Sequence, residues 1–384
     1  MKVKRAALEQ HIAVFGESGS GKTVLVSSFY GATQESQFLK QSLFHVVADD
    51  IGQGALLHRN YLGMRDSARL PEPTRFSATP YAFSVKLKDA SDEKASKAMP
   101  FDALRLVWHD YPGEWFEQGV SGSEEAQRRV DAFRSLLGSD VALLLVDGQR
   151  LLDNAGEEER YLKSLLSNFR NGLLTLKDEL LEDGTPLVEF PRIWVLALSK
   201  ADLLPDVDVF RFRDLLIDKA AGDLHELRQV LAGFVQDSDA LSVGEDFVLL
   251  SSAKFEAGKI EVRERVGLDL VLPLAAILPF ERHVRWARLK QLPTKVAENL
   301  LHGAGVFAAA LIGSKVKKPG PIGLVLSFLG PDLVNEAAKL PGEKLRAVNA
   351  QALAKENYVT ATLTRFQMDL NEAEEEQVLL RSLK

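Results

Sequence analysis

The segment Gly16–Thr23, GESGSGKT, constrains this chain more than any other. It satisfies G-x-x-x-x-G-K-[ST] in full, follows the apolar run Ile12–Phe15 and precedes a helical pattern over Thr23–Tyr30. A strand before and a helix after are the context such a loop requires. Gly16, Gly19 and Gly21 let the backbone turn so that its N–H groups, through Glu17, Ser18 and Ser20, converge on a phosphate. The helix N-terminus that follows completes the anion site. Lys22 is placed to reach the β and γ phosphates, and the Thr23 hydroxyl to ligate Mg²⁺. The bland alternative, a chance glycine-rich turn, needs the whole pattern to arise by accident in the correct context.

Around this loop the first 260 residues alternate short apolar runs with amphipathic stretches. The runs are Ile12–Phe15, Ala82–Leu87, Leu104–Trp108, Val141–Val146, Ile193–Leu198 and Phe247–Leu250. Continuous apolar runs of this length suit strands covered on both faces. Helical patterns fill the gaps at Glu124–Leu137, Glu157–Leu181 and Val209–Phe234. The expectation is an α/β fold with a doubly wound, mainly parallel sheet. Ala82–Leu87 and Leu104–Trp108 are separated only by the polar DASDEKASKAMP, which reads as a hairpin loop. Ser84 and Lys86 interrupt the first of the two, as one wet face would require. One antiparallel edge strand is therefore expected.

Three further motifs follow strands. HDYPGEW, after Leu104–Trp108, contains the D-x-x-G of Asp110 and Gly113. A carboxylate at the carboxyl end of a strand lies where sheet ligands bind, and can support a magnesium ion. The Gly113 N–H can meet a γ-phosphate. Ser199-Lys200-Ala201-Asp202 follows Ile193–Leu198. The Asp202 carboxylate can accept from guanine N1–H and the 2-amino group, a donor pair that adenine lacks. The Lys200 stem can lie across the base. Ser251-Ser252-Ala253-Lys254 follows Phe247–Leu250, and the Ala253 N–H can meet guanine O6. Each motif alone is common; four in order, each after a strand, are not.

GESGSGKT, DYPG, SKAD and SAK, in this order over about residues 10–260, resemble the P-loop NTPases of the translation-factor and Ras-like (TRAFAC) GTPase class. The string DYPGEW, with its long preceding insert, looks most like the YcjX-like GTPases and related double-GTPase proteins of bacteria. The resemblance implies GTP and GDP as ligands, Mg²⁺ as cofactor, and a molecular switch with slow hydrolysis. It makes Gly16–Thr23, Gly113, Ser199, Lys200, Asp202, Ser252, Ala253 and Lys254 the nucleotide contacts, and Thr23 and Asp110 metal-site residues. It also requires a threonine closing over Mg²⁺, for which Thr74 and Thr79 stand in the right interval and Thr79, just before a strand, is favoured. Two positions depart from the class pattern. Ser199 stands for the usual Asn or Thr, and its hydroxyl can still bond the phosphate loop. Glu114 replaces the glutamine that orients water, and its like charge near a γ-phosphate implies weak intrinsic turnover. Lys22, Glu114 and Thr79 are the candidate catalytic residues. The segment Phe38–Thr79 is long for a switch loop and carries Arg59, Arg65, Arg69 and Arg75, either solvated charges or a source of a cis-acting cation. An ATPase on the same fold, and a nucleotide-bound scaffold that never hydrolyses, remain alternatives.

Composition enters as exclusion. There is no cysteine among 384 residues, so disulfides, Cys-ligated metals and thiol nucleophiles are excluded. The seven His are scattered without H-x-x-x-H spacing, which argues against a protein-only metal site. A net charge of −7 argues against nucleic acid as a partner. No signal-type stretch or membrane-length apolar run is present, so the expected location is the cytoplasm. A domain boundary is expected near residue 281, with a GTPase domain over 1–281, an insert over 31–81 and a helical region over 282–384. Residues 282–318 carry eight Lys or Arg against one acid, Glu298, and hold the apolar stretch Leu300–Ile312, followed by Ile322–Leu329. Two readings stand for these stretches: a helical hairpin buried against the first domain, or shallow insertion at an anionic membrane's inner face. A protein effector, a second GTPase or self-association are the other partners considered. Glu372–Glu376 reads as a solvated helix face.

Overall fold

The computed structural model describes residues 8–71, 80–88, 104–110, 113–116, 122–181, 184–187, 192–236, 238, 241–290, 346–347, 349–350, 353–354 and 358–382. Thr74, Thr79, Arg75, the hairpin loop 89–100 and both C-terminal apolar stretches lie outside them.

An eight-stranded sheet forms the centre. Its strands are β1 (Leu8–Phe15), β2 (Phe44–Ala48), β3 (Tyr81–Leu87), β4 (Leu104–His109), β5 (Val141–Asp147), β6 (Ile193–Ser199), β7 (Ser242–Leu250) and β10 (Leu379–Leu380). Their order is β10-β7-β6-β5-β1-β4-β3-β2, and a separate hairpin pairs β8 (Lys254–Glu256) with β9 (Lys259–Glu261). β4, β1, β5, β6 and β7 run parallel; β3 pairs antiparallel with β4, as expected. All seven residues of β5 and of β6 are buried, which is why their sequences are unbroken apolar runs. Along β1, Ile12 and Val14 face one core while Ala13 and Phe15 face the other. The first core takes α1 (Lys22–Thr33), α9 (Val271–Lys290) and α10 (Tyr358–Glu375). The second takes α4 (Ser123–Leu137), α6 (Glu158–Thr175) and α8 (Val209–Ala232). The short helices α2 (Ser36–Gln41), α5 (Gly148–Asp153) and α7 (Lys177–Leu180) complete the set referred to below, together with α3 (Ile51–Ser67).

Three expectations are corrected. β3 is not the edge strand, because β2 pairs along it. The Phe38–Thr79 interval is not one long loop: it contains most of α2, then β2 and the seventeen-residue α3, with Asp50 capping α3 through the Gln53 N–H at 2.7 Å. A second antiparallel strand, β10, lies beside β7 at the opposite edge. In addition, α9 runs through residue 281, where composition placed a boundary, and α10 packs on it. Among the described residues no helix is long and apolar enough to cross a membrane.

Candidate nucleotide site

The motifs meet because the parallel strands end in one row. Phe15 is level with Leu144 of β5, Asp147 with Ser199 of β6, and Ser199 with Leu250 of β7. Each chain exit there begins a motif, which places the site at the carboxyl ends of the strands.

The phosphate loop has the conformation its glycines were expected to permit. Gly19 and Gly21 hold φ of 80° and 92°, in the left-handed region. The Ser20 N–H donates to the Glu17 carbonyl at 3.2 Å, closing the turn. The Lys22 ammonium is buried and folds back to donate to the Gly16 carbonyl at 2.6 Å and the Glu17 carbonyl at 3.0 Å. Thr23, half-buried, sits in the first turn of α1.

Asp110 leaves β4 one residue after His109, which is level with Ala13 of β1. It is 5% exposed. His109 stacks on His11 at 5.1 Å; burial, with the His11 charge, pushes its imidazole down to about 4, so it is neutral at pH 7. The D-x-x-G turn ends in a 3₁₀ segment, Gly113–Phe116. Gly113 lies directly on the phosphate loop: a Cβ there would stand 2.3 Å from the Ser18 nitrogen and 2.5 Å from the Glu17 carbonyl carbon. Arg129 of α4 holds this turn from behind, donating to the Trp115 carbonyl at 3.0 Å with its guanidinium 5.8 Å from the Trp115 ring centre. The Glu114 side chain, like Thr79, lies outside the described residues.

A cavity of about 330 Å³ opens beside the loop, lined on one side by Gly19, Ser20 and Gly21. Val24, Leu25, Leu203 and Phe255 supply apolar wall, while Ser199, Lys200 and Ser252 supply polar groups. Its size and mixed lining suit a nucleoside. Asp202 stands behind the wall: the Ser251 hydroxyl donates to its Oδ1 at 2.7 Å and the Phe255 N–H to its Oδ2 at 3.3 Å. Two such bonds leave lone pairs on both oxygens for a base. Lys200 adopts φ of 55° and pairs with Asp147 at 2.7 Å. Asp147, 2% exposed, also caps α5 through the Gln149 N–H at 2.9 Å.

Some expected contacts fall elsewhere. The Ser199 hydroxyl donates to the Val146 carbonyl at 3.3 Å rather than to the phosphate loop, because β5 is its immediate neighbour. Lys254 is exposed on β8 and pairs with Glu256 and Glu264, away from the cavity. The Ala253 side chain is fully buried in a small apolar cluster with Tyr61 and Met64, whereas the contact expected of this residue is its backbone N–H. Arg65 pairs with Glu35 and Asp66, and Arg59 and Arg69 are exposed. Residues not anticipated are Ser251, Asp147, Gln149 and Arg150. Asp147 carried one readable signal, a carboxylate ending a strand; Ser251 could not be told from Ser252, and Arg150 had no spacing to mark it.

The family model described as Double-GTPase 2 matches residues 10–229, more than half the chain, and the chain belongs to that family. No curated protein matches it.

Proposed function

We propose that this member of the Double-GTPase 2 family binds guanine nucleotides at the strand ends and hydrolyses GTP slowly with magnesium. One observation carries the reading: the phosphate loop, Ser199–Lys200 and Ser251–Ser252 line one nucleoside-sized cavity, with Asp202 held by Ser251 behind its wall and Gly113 packed on the loop. The loop N–H groups and Lys22 balance the β and γ phosphates. The Gly113 N–H is assigned to the γ-phosphate, because the turn that carries it abuts Ser18 of the loop. A hydroxyl at Thr23 and a carboxylate at Asp110 are hard oxygen donors that suit Mg²⁺, with the switch threonine as the third protein group. Held there by Thr23 and Asp110, Mg²⁺ would supply charge neutralisation to the phosphates. Water attacks the γ-phosphorus in line as the bond to the β–γ bridging oxygen breaks, leaving GDP and inorganic phosphate. The family resemblance gives Thr79 and Glu114 the closing and water-orienting roles. An effector or second GTPase as partner, and a cytoplasmic or membrane-peripheral location, belong to the same proposal.

The test is base selection. Asp202→Asn is expected to lose GTP affinity and gain binding of xanthosine triphosphate, measured by calorimetry. Unchanged GTP binding by the variant contradicts guanine recognition, and binding of ATP instead of GTP by the wild type assigns an ATPase.

A further inference from the structure

Glu17 is out of place on electrostatic grounds. It is a carboxylate with only 7% of its side chain exposed, within a loop that works by attracting phosphate. Arg150, the third residue of α5, answers it: Nη1 donates to Glu17 Oε2 at 2.8 Å and Nη2 to the Ser18 carbonyl at 3.3 Å. Arg150 reaches that position from a turn that is itself fixed by the base side of the site. Asp147 caps α5 and pairs with Lys200 of the S-K-x-D motif. The same two loop residues, Glu17 and Ser18, form the floor under Gly113.

We propose that Arg150 and Glu17 form a charge-balancing pair that sets the affinity of the phosphate loop for a nucleoside triphosphate, with Arg150 a positioning residue that cancels the Glu17 charge. The proposal rests on the reading of this pocket as a nucleotide site. With the arginine present, the loop presents Lys22 and backbone N–H groups to the phosphates and no net repulsion. Without it, the Glu17 carboxylate, only 7% exposed, brings its charge to the loop that receives the phosphates, where a unit charge is weakly screened. The effect grows with phosphate charge, so GTP is penalised more than GDP.

Calorimetric titration of GTP and GDP into wild type, Arg150→Ala, Arg150→Lys, Glu17→Gln and the double variant Glu17→Gln/Arg150→Ala decides it. Arg150→Ala is expected to weaken GTP about tenfold and GDP about threefold, while Arg150→Lys stays within about threefold of wild type. Glu17→Gln is expected to bind GTP as tightly as wild type or tighter, and the double variant to recover to within about threefold of wild type. A purely mechanical brace gives a different pattern, because Glu17→Gln then weakens GTP as Arg150→Ala does. That pattern, or an Arg150→Ala variant that binds GTP normally, overturns the proposal. Should Arg150→Ala fail to fold in a melting scan, Glu17→Gln and Arg150→Lys carry the same decision. A wild-type chain that binds no guanine nucleotide overturns the nucleotide reading as well, which separates the two failures.

Discussion

Asp202 can read a base only if its carboxylate is held at a fixed angle to the cavity, and the Ser251 hydroxyl and Phe255 N–H provide that hold. Ser251→Ala should therefore weaken GTP about tenfold with little change in melting temperature, since a hydrogen bond to a charged group contributes about 1.5–3 kcal/mol. Equal affinity in a calorimetric comparison removes Ser251 from the site. Gly113 makes a sharper demand, because the backbone atoms it approaches cannot rotate away. In Gly113→Ala the turn is expected to lift off the phosphate loop. GDP binding should persist while single-turnover GTP hydrolysis falls at least tenfold, and a variant with wild-type hydrolysis contradicts the assigned role. At this scale the sequence disclosed chemistry better than partners. Residue types and spacing gave the loop, Asp110 and Asp202. They did not say that Ser251 rather than Ser252 meets Asp202, because adjacent serines differ only in where the chain turns after β7.

Among the elements, β7 ties the strand-end site to the C-terminal part of the chain. Asp246 of β7, fully buried, accepts from Arg282 of α9, from the Ser382 N–H at 2.8 Å and from the Ser242 hydroxyl at 3.1 Å. Arg381, just after β10, reaches Glu281 at 3.1 Å and Glu374 of α10 at 2.9 Å. Arg282, the first cation of the basic stretch, is thus an interior residue and not part of a lipid-facing surface. Arg282→Ala leaves Asp246 buried without its cation, and chemical denaturation should show a loss of about 3–5 kcal/mol. A loss below 1 kcal/mol contradicts this. Asp369 of α10 has the opposite sign. Burial, opposed by Arg365 and reinforced by Glu372, pushes its carboxyl up to about 6. The folded form therefore resists ionisation that the unfolded chain accepts near 4, and stability is lost as pH rises between these values. Asp369→Asn should raise the melting temperature at pH 8 and leave it nearly unchanged at pH 4, with a gain on the order of 1–3 kcal/mol at the higher pH. An equal shift at both values rules out titration as the cause. The parallel strands were legible because both faces are buried and the signal is a plain apolar run. β2 was not, since its residues mix buried, half-buried and exposed positions. Nor was β10, which has two residues and is a strand only because β7 is beside it.

Taken whole, the molecule is a doubly wound sheet whose strand ends carry the nucleotide motifs, with later helices completing one of its two cores. The shift in charge after residue 281 begins within α9, a helix whose first turns pack in the core. The proposed function requires that one pocket take guanine nucleotide, with Lys22 at the phosphates and Asp202 at the base. Calorimetric titration of the purified chain with GTP, GDP and ATP in magnesium, alongside Lys22→Ala and Asp202→Asn, tests it most directly. GTP and GDP are expected to bind and ATP not to, with GTP and GDP binding lost in Lys22→Ala and a switch toward xanthosine triphosphate in Asp202→Asn. A wild-type chain silent to guanine nucleotides, or a Lys22→Ala variant that binds them as tightly as wild type, contradicts it.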